Sequence, residues 1–177
     1  MTAWSINEFR RVESSDTLRI VEVIDGTTVD GPGFRTSIYF AGCEHHCEDC
    51  HNPATWPMDA GYDVSSSDLL SRIKENDMDV TLSGGDPLFQ AKKLLPLLKA
   101  IRESGFTIWC YTGFTYESIA ERPEIKPLLE LIDVLVDGPF IKKLRDTALL
   151  FRGSSNQRLI DLRKSSPDNI VLWTPDF

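Results

Sequence analysis

The sequence predicts an α/β fold, a partial, side-open parallel (β/α) barrel of about five or six strands. Three observations carry this prediction. Several short β-rich runs are each followed at once by a polar, glycine-bearing segment and then by an apolar-periodic helix. That alternation implies a parallel sheet with crossover connections. The chain has 177 residues, whereas a closed eight-stranded barrel takes about 250. Hydrophobic residues at 41% and charged residues at 26% suit one globular domain with a sizeable core.

In chain order, residues 1–17 read as an N-terminal extension, with Trp4 and Phe9 available to pack onto a single domain over 18–177. Residues 18–24 alternate apolar and charged side chains, as a half-buried strand does. The turn-rich residues 25–35 end it. Residues 36–41 are β-rich and apolar, a buried strand that runs straight into a cysteine loop. Residues 65–76 predict a helix capped by Ser66 or Ser67, with Leu69, Leu70 and Ile73 inward. A short strand over 79–82 ends at Ser83-Gly84-Gly85-Asp86-Pro87. Pro96 suits the first position of a helix over 96–103, where its missing N–H costs nothing. Gly105 then supplies the C-terminal cap. A strand over 106–111 ends at Thr112-Gly113, and Thr115 caps a short helix through Ala120. Another helix is predicted over 125–131, and a strand over 133–136 ends at Asp137-Gly138-Pro139. Two last strands are predicted over 158–162 and 170–173.

In parallel sheets, ligands bind at the C-terminal ends of the strands. The cysteine loop, Gly84-Gly85-Asp86, Thr112-Gly113 and Asp137-Gly138 are therefore expected to share one rim. The chemistry of that rim centres on Cys43, Cys47 and Cys50, spaced C-x3-C-x2-C. Thiolates suit iron–sulfur clusters, zinc or Cu(I). With His45, His46 or His51 the three cysteines also suit a structural Cys3His zinc site, and the cysteines alone leave zinc and iron–sulfur open. Cys110 lies far along the chain and reads as a small buried hydrophobe. Trp109 and Tyr111 alternate on one strand and read as core or wall.

The formal net charge is −8, which argues against a nucleic-acid surface. Lys142, Lys143, Arg145, Arg152, Arg158, Arg163 and Lys164 crowd the C-terminal third, and a solvated face is the ordinary reading for them. No apolar run approaches the roughly 20 residues of a membrane helix. The polar first residues lack a secretory core, so a cytoplasmic location is expected, where a reducing medium suits free thiols.

Cys43-x-His45-x-Cys47-x2-Cys50-x-Asn52, followed by Thr55-Trp56, resembles the anaerobic ribonucleotide reductase-activating proteins of the radical S-adenosylmethionine superfamily. Asp30-Gly31-Pro32-Gly33-Phe34-Arg35 resembles both that family and the pyruvate formate-lyase activating enzymes. Ser83-Gly84-Gly85-Asp86-Pro87-Leu88 matches the family's cofactor motif, and with it the balance moves from zinc to iron–sulfur. Residues 135–138 and 152–157 resemble later family segments. The position before the last cysteine, often glycine in the family, is Asp49 here.

The resemblance implies a 4Fe–4S cluster on Cys43, Cys47 and Cys50, with no catalytic residue beyond these ligands. It implies S-adenosylmethionine on the open iron, contacted by Asp49, Cys50, His51, Gly84, Gly85, Asp86, Thr112 and Asp137. Asp86 would help hold the ammonium end, and Arg152 is a candidate for the carboxylate. A valine at Gly85 would then block the cofactor and spare the cluster. The resemblance further implies a class III anaerobic ribonucleotide reductase as glycyl radical partner, flavodoxin or a similar one-electron donor, and neither nucleic acid nor membrane as partner.

Overall fold

A computed structural model describes residues 17–175. Trp4, Phe9 and the rest of the expected extension before Thr17 lie outside the described residues. One seven-stranded sheet dominates, in the order β3-β1-β2-β4-β5-β6-β7. Its strands are β1 (Thr17–Thr27), β2 (Arg35–Phe40), β3 (Tyr62–Ser65), β4 (Asp79–Gly84), β5 (Ile108–Tyr111), β6 (Val134–Asp137) and β7 (Arg158–Asp161). The helices are α1 (Ser66–Asn76), α2 (Ala91–Glu103), α3 (Tyr116–Ala120) and α4 (Lys126–Leu129).

The sheet is mixed, which corrects the all-parallel expectation. β2, β4, β5 and β6 run parallel. β1 and β3 on one flank and β7 on the other run antiparallel to their neighbours. The connections decide this. A parallel return needs a crossover over the sheet, usually a helix. Each step from β2 to β6 has one, whereas β1–β2 and β6–β7 are joined by loops without an α-helix. β3 was not anticipated from the sequence; it pairs with β1 from Thr17 opposite Ser65 to Ile20 opposite Tyr62. The strand expected over 170–173 reduces to one bridge, Ile160 opposite Leu172.

Helix boundaries follow local chemistry. Ser65, one residue before the expected caps, accepts from Asp68 N at 3.0 Å and starts α1. Asp77 in left-handed conformation ends that helix. Pro96 lies inside α2 rather than at its start. Ala91 and Leu94 are buried, so the helix gains apolar contacts by beginning a turn earlier. The amide lost at Pro96 is tolerated there because Lys92 and Pro96 are exposed and water reaches the unpaired carbonyl.

Strand alternation separates two apolar clusters. Val80, Leu82, Ile108, Cys110 and Leu135 face the helices, packed with Leu69, Ile73, Leu94 and Leu98. Trp109, Val134, Val136 and Leu159 face the other way, joined by Tyr111, Phe151 and Trp173.

Candidate metal and cofactor cleft

The rim expected from the sequence forms. A cleft of about 530 Å³ is lined by Cys43, Cys47, Cys50 and His51 from the loop after β2, and by Gly84 and Gly85 at the end of β4. Thr112 and Gly113 after β5 and Gly138 after β6 complete the arc. The sheet supplies a wall that sequence reading missed: Glu22 and Ile24 of β1, Tyr39 of β2 and the Asp30 side chain. Tyr39 donates to Asp30 Oδ2 at 2.5 Å. Alternation along β2 places Tyr39 opposite to Ile38, and that is the signal that could have found it.

Asp30 is held from below. The buried Arg35 donates through Nε to Thr81 Oγ1 at 2.7 Å, and Thr81 in turn donates to the Asp30 carbonyl at 2.8 Å. Burial lowers the Arg35 guanidinium to about 10, and its stack on Trp109 and its carbonyl partners keep it in place.

The cysteine loop is tied down by its backbone. Gly42 N donates to Thr55 O at 2.8 Å and Cys43 N to Trp56 O at 3.0 Å. Gly85 N and Asp86 N reach Phe40 O and Gly42 O, both at 2.8 Å, and fasten the loop to the end of β4. His46 and Asp49 adopt left-handed backbone, with φ of 47° and 57°. Those turns let the three thiols approach one cleft.

The thiols suit a cationic group. Burial pushes Cys43 up to about 11 and raises Cys47, and Asp86 and the neighbouring cysteines add to both shifts. Adjacent thiolates in this setting need positive charge to stay deprotonated. Among the described residues, no three His, Cys, Asp or Glu side chains close around one ion. A four-iron cluster does not require that, since each thiolate binds its own iron. Cys110 is fully buried on the helix side of β5 and does not line the cleft.

Asp86 is fully buried and does not line the cleft. Its Oδ2 accepts from His45 Nε2 at 2.8 Å, Thr112 Oγ1 at 2.8 Å and Gly113 N at 3.0 Å; Oδ1 accepts from Leu88 N at 3.0 Å. The carboxylate clamps the cysteine loop, β4 and the β5 turn together. Asp137 is likewise turned inward, accepting from Tyr116 N at 2.8 Å and from Arg158. Asp49 stands at the surface, 3.0 Å from Lys142 Nζ. Arg152 donates to Gln157 O at 3.0 Å, within its own loop.

Gly85 lines the cleft, and its packing imposes a second constraint on its size. A Cβ there would stand 2.5 Å from Gly42 O and 3.0 Å from Thr55 O. It would strike the backbone of the cysteine loop, so a valine at this position disturbs the thiols themselves. Much of the C-terminal basic cluster is also engaged rather than merely solvated: Lys142 pairs with Glu48 and Asp49, Arg163 with Asp133, and Lys164 with Asp161.

Residues 29–160 match the family described as the 4Fe-4S single cluster domain. The anaerobic ribonucleoside-triphosphate reductase-activating protein of Escherichia coli (strain K12) is 38% identical over 148 residues, covering 76% of this chain and 93% of that protein. The protein of the same name from Vibrio cholerae is 37% identical over 141 residues, covering 73% and 88%. That of Enterobacteria phage T4 is 36% identical over 140 residues, covering 74% and 86%. The crystal structure of QueE from Escherichia coli aligns at a TM-score of 0.48 and 24% identity, over 56% of this chain and 53% of that one. With the cluster-domain match across the very cleft that gathers Cys43, Cys47 and Cys50, the chain belongs to the family of anaerobic ribonucleoside-triphosphate reductase-activating proteins.

Proposed function

We propose that this protein is a radical-generating activase. It holds a 4Fe–4S cluster on Cys43, Cys47 and Cys50, binds S-adenosylmethionine beside it, and produces the glycyl radical of a class III anaerobic ribonucleotide reductase. The observation that carries the reading is the convergence of three thiols and three glycine-bearing strand ends on one cleft. When bound, the cluster supplies one-electron reduction of the cofactor's sulfonium, which yields the radical that takes a hydrogen atom from the partner's glycine.

The chain's own residues bind, orient and exclude water. Gly84, Gly85, Gly113 and Gly138 line the cleft with backbone, and at Gly84, Gly85 and Gly113 a Cβ would strike Phe40, Gly42 and His45, so these turns close only with glycine. Cys50, His51 and Thr112 line the cleft beside them and contact the cofactor in this reading. Asp49 has at most a backbone contact in this reading, since its side chain stands at the surface beside Lys142. Asp86 and Asp137 act behind the rim, as clamps of the turns that carry those contacts. Phe140, Gly153 and Gln157 of the β6–β7 loop cover the cleft and keep solvent from a reactive intermediate.

The same reading treats residues 18–177 as one domain with 1–17 as an extension, and the sheet as a partial barrel open at the side between its β3 and β7 edges. That opening admits the partner's glycine loop. It assigns a flavodoxin-type donor as the electron source and the reducing cytoplasm as the location. Among the described residues, no helix is long and apolar enough to cross a membrane. The test is electron paramagnetic resonance on an anaerobic mixture of this protein, S-adenosylmethionine, dithionite and the reductase from the same source. A glycyl doublet that requires Cys43 is expected. Conversion of a small molecule stoichiometric with the cofactor, with no doublet, would overturn the reading.

A further inference from the structure

A second groove, of about 510 Å³, lies behind the cysteine loop. We infer that it is the docking surface for an acidic one-electron carrier protein. The inference rests on the activase reading above. Three observations carry it.

The first is charge. The chain as a whole is at −8, yet the groove gathers Arg19, Lys92, Lys93 and Arg122 against a single carboxylate, Glu124, among its described lining residues. Arg19 is engaged by Asp63 at 3.3 Å. Lys92, Lys93 and Arg122 form no ion pair among the described residues, and Arg122 lies over the Phe114 ring at 4.4 Å.

The second is the position of the lysines. Lys92 and Lys93 are exposed in the first turn of α2, which holds no acidic residue. A helix N-terminus carries partial positive charge, so cations there cost stability. Folding gains nothing from the pair, whereas an acidic partner does.

The third is proximity. Phe89 and Phe114 line the groove, and the His45 ring packs on both, at centroid distances of 5.6 and 4.6 Å. His45 lines the cysteine cleft on its other side. Met58, half exposed in the groove, packs over Gly42 beside Cys43. One layer of side chains thus separates a docked carrier from the cluster ligands. In the transfer the carrier loses one electron and the cluster gains one; no atom or proton need move.

The test uses the reconstituted holoenzyme and its K92E/K93E variant, with a reduced acidic flavodoxin as probe. Glutamates in the first turn favour the helix, so the variant is expected to fold at least as well as the parent. Two readouts are independent of turnover: the Kd for the flavodoxin and the rate of cluster bleaching on mixing. The variant is expected to bind and be reduced about tenfold or more slowly and weakly at low salt, with a flattened salt dependence. Its reduction by dithionite should match the parent. Parent-like binding and salt slope in the variant would overturn the inference. So would loss of the reductase's radical with dithionite as donor, which would assign the groove to the reductase instead. A parent protein with no dithionite-reducible cluster would instead fail the activase reading, and this inference with it.

Discussion

Asp86 is where the site motif and the fold meet most closely. Three donors share its Oδ2 and a fourth takes Oδ1, around a carboxylate that is itself fully buried. Asp86→Asn removes the charge and turns one acceptor toward these donors into a donor. A loss of about 3 kcal/mol in chemical denaturation is expected, since buried bonds to a charged acceptor are worth more than neutral ones. Gly85→Val is expected to lower the iron and sulfide content after reconstitution, because its Cβ meets Gly42 O at 2.5 Å. A fully loaded variant that only fails to bind S-adenosylmethionine would restore the simpler picture of Gly85 as a ligand contact. Cys110→Ala removes one buried sulfur and is expected to cost about 1 kcal/mol while keeping the cluster. Cys43→Ala, Cys47→Ala and Cys50→Ala should each lose it, by iron analysis and absorbance.

Arg158 ties three elements. It begins β7, pairs with the buried Asp137 at the end of β6, and reaches Glu117 of α3 at 2.8 Å. Arg158→Met leaves Asp137 buried with only the Tyr116 amide, and a loss of about 3 kcal/mol is expected from stranding that charge. The pH dependence has a definite sign. The hydrogen bond from Arg158 holds the Glu117 carboxyl below its usual 4.5. A depressed carboxyl contributes stability above 4.5 and loses it as pH falls through the folded value. The gap between parent and variant should therefore narrow in acid, and urea melts between pH 3 and 7 read it. Glu117 is more than half exposed, so its share of the gap is small. A gap that widened in acid would show that Arg158 acts through something other than these carboxylates.

At the scale of the whole molecule, the C-terminal tail closes the inner face of the sheet. Trp173 N donates to Leu159 O at 2.7 Å, and its ring packs on Trp109 and Phe151 at 5.0 and 6.0 Å. Phe151 sits at a φ of 54°, and its carbonyl accepts from Tyr111 at 2.9 Å on the cleft wall. The tail thereby holds the loop that carries Gly153 and Gln157 over the cleft. Trp173→Ala is expected to cost about 2 kcal/mol, less than a fully buried tryptophan because the residue keeps some solvent exposure. It should also weaken the near-ultraviolet circular dichroism of the aromatic cluster. Unchanged dichroism and stability would show that the tail is not seated there.

The sequence by itself determined the chemistry-bearing parts. Cysteine spacing, glycine-bearing strand ends and apolar periodicity are local, so the thiols, the central parallel strands and the helices were readable in one dimension. Cys110 could be set aside because it lies far along the chain from the other three thiols, and the structure places it in the helix-side core. What the tertiary structure decided depends on partners distant in sequence. The antiparallel flanks follow from whether a connection recrosses the sheet, and β3 exists only because β1 offers it an edge. Asp86 carries the same residue type whether it meets a ligand's ammonium or His45, Thr112 and Gly113; only the packing of three loops places those donors around it. Gly85 likewise needs to be small for a reason that lies 43 residues earlier, at the Gly42 carbonyl it would otherwise strike.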